Sequence, residues 1–417
     1  MKQAIPENLS SRARRGLSGA AMALVIAAGL PAQAAEIGGL DISGYTRFGA
    51  YSSPAGTPRG GYTLGGDTQK FRLGNEGDNG IELGIGKTAD IGDGRKFSVM
   101  YMPTVWGGNY GTAQGYVAMS GFDFAPEARF WIGQNRLRLQ EVHIVDSFVM
   151  DYGDNTGVGM TGLDLGYAKL GVGLFNSGTF DYSSIVPNDA KRINLDLSDI
   201  RTNPGGTLRV LATLVEGNFQ MGSSGAGLSV SHDQSDFLLN GLANTFFLQG
   251  STGHAGINGK FQGLGDAANG AGPQPGMKSF RVADMLNWQS GPFGGQALAA
   301  WQTGRIDGGV NHGRSTRDTS LGGRISYAIG RNFKLLAEAG TTTRSVDGQA
   351  RQSLNKFTIA PTLALAPEFW SRPELRFYLT HASWNAAAAA ANVAAGGFGA
   401  GGRTSSTLAG AQLEVWW

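Results

Sequence analysis

The 417-residue sequence contains no cysteine. That excludes disulfide staples in an oxidising compartment and any thiolate metal site. Charge of one sign is lacking too. Of 34 basic and 32 acidic side chains, Lys2, Arg12, Arg14, Arg15 and Glu7 fall in a leader-like N-terminus, leaving 30 basic and 31 acidic groups, a formal charge of −1. Without a basic surplus the chain does not hold a polyanion, and nucleic acid is not an expected partner. Long hydrophobic runs are also missing. The apolar stretch Leu17 to Leu30 falls short of the roughly 20 residues a membrane helix needs, and nothing after it reads as a spanning helix.

That stretch has a different use. It follows the positive cluster ending at Arg15 and precedes Ala32-Gln33-Ala34, the small-x-small pattern a signal peptidase cuts. Residues 1–34 are expected to be a cleavable signal peptide, with 35–417 the mature chain. Gly16-Leu17 follows Arg14-Arg15 in place of the fuller twin-arginine motif, so ordinary secretion is expected.

What is abundant is glycine, 67 residues, about twice the usual share. The glycines have no three-residue period and are interleaved with aromatic and β-branched residues, which excludes collagen and flexible-linker readings. They sit inside alternating segments. Ile81, Leu83 and Ile85 alternate with Gly80, Glu82 and Gly84; Phe97, Val99 and Tyr101 alternate with Ser98, Met100 and Met102. The same period recurs at Leu208 to Leu214, Ile325 to Ile329, Phe357 to Leu365 and Leu375 to Leu379. No amphipathic helix interrupts these strands. Turn signals such as Asp93-Gly94, Asn203-Pro204-Gly205-Gly206 and Gly330-Arg331-Asn332 separate them. No domain boundary is evident. Gly250 to Gly276 and Ala386 to Gly402 are expected to be outward loops, the alanine run Ala386 to Ala391 forming a short helical turn in its loop.

The last segment, Leu413-Glu414-Val415-Trp416-Trp417, alternates to the final residue. An outer-membrane barrel ends this way because lipid cannot satisfy an open sheet edge. Parity puts Leu413, Val415 and Trp417 toward lipid and Gln412, Glu414 and Trp416 toward the lumen. A buried edge strand of a soluble sandwich is the competing reading. Against it, Glu82, Arg324, Arg376 and Glu414 stand opposite the apolar stripes, and charges on an enclosed face imply water inside. About 383 residues at roughly 20 per strand and connection supply some 16 to 20 strands, enough to leave an aqueous lumen. The expected fold is all-β, a transmembrane antiparallel β-barrel in a Gram-negative outer membrane.

Several blocks resemble the maltoporin family of sugar-specific porins. They are Gly44-Tyr45-Thr46-Arg47, Phe71-Arg72-Leu73-Gly74-Asn75-Glu76, Trp131-Ile132-Gly133, Val142-His143-Ile144-Val145-Asp146, Asn203-Pro204-Gly205-Gly206-Thr207-Leu208, Trp370-Ser371-Arg372-Pro373 and Gly410 to Trp417. The resemblance implies about 18 strands, a homotrimer, a third loop folded into the pore, and facilitated diffusion of maltodextrins or related oligosaccharides, with no cofactor. It also implies an aromatic slide flanked by an ionic track. A sugar ring has an apolar C–H face and an equator of hydroxyls, so aromatic planes and charged groups together suit it. By resemblance Tyr45, Trp370 and Trp416 match the slide. Arg47, Arg72, Glu82, Glu141 and Asp146 match the track, and Phe148 and His143 the constriction. Trp106 is the candidate, ahead of Tyr110, for a slide aromatic contributed through the second loop to a neighbouring subunit.

The departures are specific. A slide aromatic of the family falls at Gly80, another near Leu242, and a track arginine at Leu139 beside Arg138. A disaccharide such as sucrose, or weak selectivity, is therefore the alternative to maltodextrin. Trp288, Trp301, Trp384 and Trp417 are expected in the membrane-interface girdle. His143 lacks a second histidine at ligand spacing, so no metal is expected. His232-Asp233-Gln234-Ser235 has the residue types of a hydrolase, but no nucleophile elbow accompanies it, and the chain is not expected to be an enzyme.

Overall fold

Period-two alternation fixes strands of 8 to 16 residues around the wall. The computed structural model describes residues 35–52, 61–177, 190–216, 224–264, 278–305, 313–393 and 397–417; the expected signal peptide, 1–34, lies outside them. A three-residue strand, β1 (Ala35–Ile37), precedes the wall strands β2 (Leu40–Ser52), β3 (Gly80–Asp90), β4 (Lys96–Trp106), β5 (Asn109–Phe122) and β6 (Ala125–Gln134). An inward hairpin, β7 (Arg138–Val142) and β8 (Ser147–Asp151), interrupts it. The wall resumes with β9 (Thr156–Asp164), β10 (Lys169–Asn176), β11 (Lys191–Arg201), β12 (Gly206–Val215), β13 (Gly225–Gln234), β14 (Leu242–Thr252) and β15 (Lys278–Ser290). It finishes with β16 (Phe293–Arg305), β17 (Ser315–Gly330), β18 (Phe333–Val346), β19 (Gln352–Ala364), β20 (Glu374–Trp384) and β21 (Ser405–Trp416).

The sheet holds 19 strands, of which β1 is a short extension paired to β2. The other eighteen form a closed antiparallel ring. Closure is made by β2 on β21, with Tyr45 opposite Trp416 and Ser52 opposite Ala409. Gly44 and Trp417 then exchange backbone hydrogen bonds of 2.9 and 3.1 Å, so no backbone edge is left for lipid. The Trp417 indole covers Gly44, where a Cβ would stand 2.6 Å from the ring. Only glycine fits there. The alanine run forms helix α1 (Ala386–Ala391), capped by Asn385, whose side chain accepts from the Ala388 N–H at 2.9 Å. Alanine's helix propensity and a cap stabilise this turn.

The inner face is not uniformly charged. Leu211, Phe247, Ala283, Met285 and Leu298 of β12 and β14 to β16 point inward and bury Val142, Ile144, Val145, Val149 and Met150 of the hairpin. Burying each large apolar side chain stabilises by about 1.5–3 kcal/mol, so this apolar wall holds the hairpin inside. The first long loop also turns inward. Phe71 lies against Gly322 and Gly340, and a Cβ at Gly340 would stand 2.1 Å from the ring. Asn75 fixes that loop by donating to the Tyr62 and Phe71 carbonyls and accepting from the Tyr62 N–H.

Trp288 and Trp301 face outward beside Phe293 and Phe280, as a girdle requires. Trp384 does not. It shares the inward register of Arg376 on β20, packs on Tyr62 and Phe398 under the loops, and donates to the Arg403 carbonyl at 2.7 Å. Asp284 breaks the lipid-face rule. Arg281, Ala283 and Met285 point inward on β15, so exposed Asp284 faces outward, midway between Phe280 and Trp288, with Asn244 donating to it. A carboxylate in an apolar band destabilises a barrel, though less than a lysine or arginine. Asp284→Val is expected to stabilise the folded barrel by roughly 1–2 kcal/mol, read as a raised urea midpoint in lipid vesicles. A lowered midpoint would show that this face is covered in the assembly.

Candidate functional site

Strand register brings Tyr45, Arg47, Glu414 and Trp416 to one lumenal patch where β2 closes on β21. Glu414 is completely buried and gathers cations from three directions. Arg72 of the first loop approaches it at 2.9 Å, Arg372 of the turn between β19 and β20 at 2.9 Å, and Arg376 of β20 forms a short ion pair with it. Tyr45 Oη donates to the same carboxylate at 2.9 Å. Arg72 also bonds Glu76 at 2.8 Å and donates to Tyr45 Oη at 3.0 Å. Arg47 pairs with Glu76 and, at 2.8 Å, with Asp78. Buried charges persist only when paired and hydrogen-bonded, and these are.

The aromatics lie beside this network. Tyr45 stacks on Trp106 with ring centroids 6.0 Å apart and planes at 26°. Opposite Tyr45, Trp416 meets the edge of His143 at 5.6 Å, and His143 meets Trp370 at 5.2 Å. Trp106, Tyr45, Trp416 and Trp370 are each partly exposed. The Arg372 guanidinium sits 4.0 Å from the Trp416 ring centre and covers one of its faces.

The hairpin closes the patch from the other side. Arg72 N–H donates to the Ile144 carbonyl at 2.9 Å, joining the first loop to the hairpin tip, and Gln296 accepts from the Ile144 N–H at 2.9 Å. His143 is buried between Arg372, 3.2 Å from Nε2, and Glu141, 3.1 Å from Nδ1. With Nε2 accepting from Arg372, a neutral ring carries its proton on Nδ1 and donates to Glu141, beside the Arg72 Nη1 that lies 3.2 Å from the same nitrogen. Burial, with Arg72 nearby, holds the imidazole well below its ordinary 6.5. Asp146 takes the left-handed turn, φ 56°, that ends the tip. Burial alone would raise its carboxyl, but Arg72 and Lys70 outweigh that and hold it below the ordinary value.

The neutral ring has a pH consequence. A base whose folded pKa is depressed takes up a proton on unfolding below its unfolded pKa, so the contribution of His143 to stability is complete above about 6.5 and falls as pH drops below it. The Glu141 carboxyl, raised to about 7 mainly by burial, contributes with the opposite sign. His143→Gln is expected to flatten that acid-side slope in unfolding midpoints measured from pH 7.5 to 5. An unchanged slope refutes it.

Other expected residues stand apart. Glu82 of β3 pairs with Arg136 at 2.5 Å. Phe148 pairs across the hairpin with Glu141, and Arg138 lies 3.7 Å over its ring. Trp106 needs a correction. The connection after it is only Gly107-Gly108, too short to reach a neighbouring subunit, and its ring stays in its own barrel. It lies over Gly80, where a Cβ would stand 2.2 Å from the indole. The aromatic missing from position 80 is thus replaced from across the strand pair. Tyr110 is 87% exposed on the outer face of β5.

The model of the LamB porin family matches residues 40–417. The chain belongs to the LamB porin family. Maltoporin from Vibrio cholerae serotype O1 strain El Tor Inaba N16961 is 27% identical over 373 residues, covering 82% of this chain and 88% of that one. Maltoporin from the Classical Ogawa 395 strain is 27% identical, with 82% and 87% covered. Among solved structures, OccAB2 of Acinetobacter baumannii overlaps with a TM-score of 0.48 at 8% identity, covering 92% of this chain and 98% of that one.

Members of the LamB porin family are outer-membrane channels, not enzymes. The one hydrolase-like cluster fits that. Asp233 faces inward, accepting from Thr245 at 2.7 Å and Gln140 at 2.8 Å, whereas His232 faces the other way, 2.9 Å from Thr202. Sequence reasoning missed Glu76, Arg136 and Arg372 as site members and read Arg376 and Glu414 only as lumen-facing charges. Arg372 lies inside the Trp370-Ser371-Arg372-Pro373 block and Glu76 inside the Arg72 block, so a signal was present for both. In this LamB porin the charged groups chiefly bond one another, and the aromatic edges and faces between them remain for a solute.

Proposed function

We propose that this porin is a sugar-selective channel of the outer membrane, mediating facilitated diffusion of maltose, maltodextrins or related oligosaccharides. The observation that carries it is the line Trp106, Tyr45, Trp416 and Trp370 beside the Arg47, Arg72, Glu76 and Glu414 network. A pyranose lays its C–H face on the rings while its hydroxyls exchange hydrogen bonds with the flanking charges. Each contact must be weak enough to release the sugar onward. Tyr45, Trp106, Trp370 and Trp416 act as the slide. Arg47, Arg72, Glu82, Glu141 and Asp146 act as the track, with Phe148 and His143 at the constriction. Export by residues 1–34 and assembly as a homotrimer belong to the same proposal, by likeness to the family.

A second reading, a channel for a disaccharide such as sucrose, is favoured by one feature. Arg372 covers a face of Trp416 and Arg138 a face of Phe148, so the open aromatic path is short. In planar bilayers the reconstituted protein is expected to conduct ions and to be blocked by sugar in a concentration-dependent way. Stronger block by maltotriose than by maltose or sucrose supports the long-chain solute, and the reverse order supports the disaccharide. Current that no maltodextrin or disaccharide interrupts would sink both.

A further inference from the structure

At the end of the barrel where the connections are long, residues 253–277 before β15 among them, strands β15 to β19 differ between their two faces. Inside, the charges are paired, Arg281 with Asp67 at 3.2 Å and Arg344 with Asp318 at 3.3 Å. Outside they are not. Lys278 shares the outward parity of Phe280, Arg317 that of Thr319 and Leu321, and both cations are exposed. Exposed Arg351, just before β19, is laid over the same face, its Nη2 donating to the Thr343 hydroxyl at 3.1 Å. None of the three forms an ion pair among the described residues. Across residues 278–283, 300–305, 313–320 and 341–356 the acids are inward Asp318 and, in the turn joining β18 to β19, Asp347. Arg305 and Arg314 adjoin the patch, donating to the Gly313 and Asp347 carbonyls at 3.3 and 3.2 Å, so positive charge is in surplus there.

We propose that this outer face is a docking surface for the phosphorylated sugar headgroup of an outer-leaflet glycolipid. Height and charge together select that occupant. Phe280 and Trp301 meet edge to face at 6.0 Å on the lipid side, and such rings mark the headgroup level of a membrane. Thr303 is paired with Phe280 on one side and Arg317 on the other, which sets Arg317 beside this aromatic layer, and Lys278 lies two residues beyond Phe280 toward the long loops. Acyl chains therefore meet the rings while the phosphates meet the cations.

The polar groups around the cations suit the same ligand. Thr303 and Ser345 stand directly opposite Arg317 on its two neighbouring strands, and the Thr319 and Thr343 hydroxyls bond each other at 2.6 Å. Hydroxyls donate to phosphate oxygens and accept from sugar hydroxyls, and a guanidinium can hold a phosphate through two parallel bonds. A lysine or arginine costs little near the membrane interface, in contrast to the midplane, so the strands tolerate the surplus, and an anionic lipid surface gives it a counter-charge. A second copy meeting this face with its own would set cations against cations.

The test is native mass spectrometry of the folded full chain in neutral detergent, titrated with lipid A bearing two phosphates, with its dephosphorylated form and with inorganic phosphate. Binding of the diphosphorylated lipid alone is expected. Lys278→Gln, Arg317→Gln and Arg351→Gln should each weaken it about fivefold, the effect of one cation beside an anionic lipid surface, and the triple variant about a hundredfold. Arg317→Lys, which keeps the charge but not the fork, should lose less than Arg317→Gln. Arg95→Gln, exposed at the short-turn end, should change nothing. Equal affinity of the triple variant and the unaltered chain overturns the proposal, as does equal binding of the dephosphorylated lipid or displacement of the lipid by an equal concentration of inorganic phosphate. A triple variant that loses self-association but keeps its lipid places a protein partner on this face and overturns it too. If the triple variant fails to fold, which heat-dependent gel mobility reports, the three single variants decide.

Discussion

Glu414→Ala is expected to lower the unfolding free energy by about 3–5 kcal/mol, the largest effect of any single lumenal substitution considered. The carboxylate is fully buried and is shared by Arg72, Arg372 and Arg376, themselves nearly inaccessible to solvent. Its removal leaves three guanidiniums crowded together with one fewer counter-charge. The loss is tempered because Arg72 keeps Glu76 at 2.8 Å and Arg376 keeps Glu374 at 2.5 Å, whereas Arg372 retains only a 3.5 Å contact to Glu374. Glu414→Gln preserves shape and one acceptor and is expected to lose about half as much. Arg95–Asp93 is the control. That pair is also 2.9 Å long, but both side chains are largely exposed, and breaking it should cost less than about 1 kcal/mol. Urea unfolding in lipid vesicles, followed by tryptophan fluorescence, measures all three. A Glu414→Ala midpoint no lower than that of the Arg95 variant would mean that the cluster rearranges and pairs itself without the acid.

Glu414 also shows how far the sequence carries. Alternation alone assigns it to the lumen, because the period of a strand is two and an error of one residue inverts every assignment. Trp416 and Trp417 separate to opposite faces for the same reason, and length bounds the strand count at some 16 to 20, the figure of about 18 coming from the family resemblance. The alanine run predicts α1. What alternation does not contain is the path of a loop. Arg72 is a wall residue in no sense; it reaches Glu414 because Phe71 wedges against Gly322 and Gly340 and because Asn75 fixes the turn behind it. The Phe71 contacts join residues some 250 positions apart, and no local pattern encodes them. The apolar patch of Leu211, Phe247 and Met285 was unreadable for a related reason. An inward leucine on a strand whose outward face is also apolar removes the contrast on which the inside–outside assignment depends. Trp384 failed similarly, since a tryptophan near a strand end suits an interface girdle and a loop-covered lumen equally well.

The clearest consequence of reading residues in pairs across strands concerns Gly80 and Trp106. Position 80 lacks the aromatic that the family resemblance leads one to expect, and the structure fills the same space with the indole of Trp106, its directly paired neighbour on β4. Directly opposed side chains stand about 4.5–5.5 Å apart at Cβ, so a large ring on either strand can cover the same patch beside Tyr45. If the patch is what a sugar uses, Trp106→Gly is expected to weaken current block by maltotriose about tenfold, in line with truncation of a central aromatic contact. Gly80→Trp alone is expected to strain the barrel, because its ring would occupy the volume that Trp106 already fills. The double substitution Gly80→Trp with Trp106→Gly should relieve that strain and restore block to within about threefold of the original. Rescue distinguishes a binding platform from a packing residue, since a residue needed only for packing would be recovered in stability without recovery of block. Failure of the double variant to regain block while its unfolding midpoint returns to normal would place the sugar elsewhere on the line, against Trp416 or Trp370.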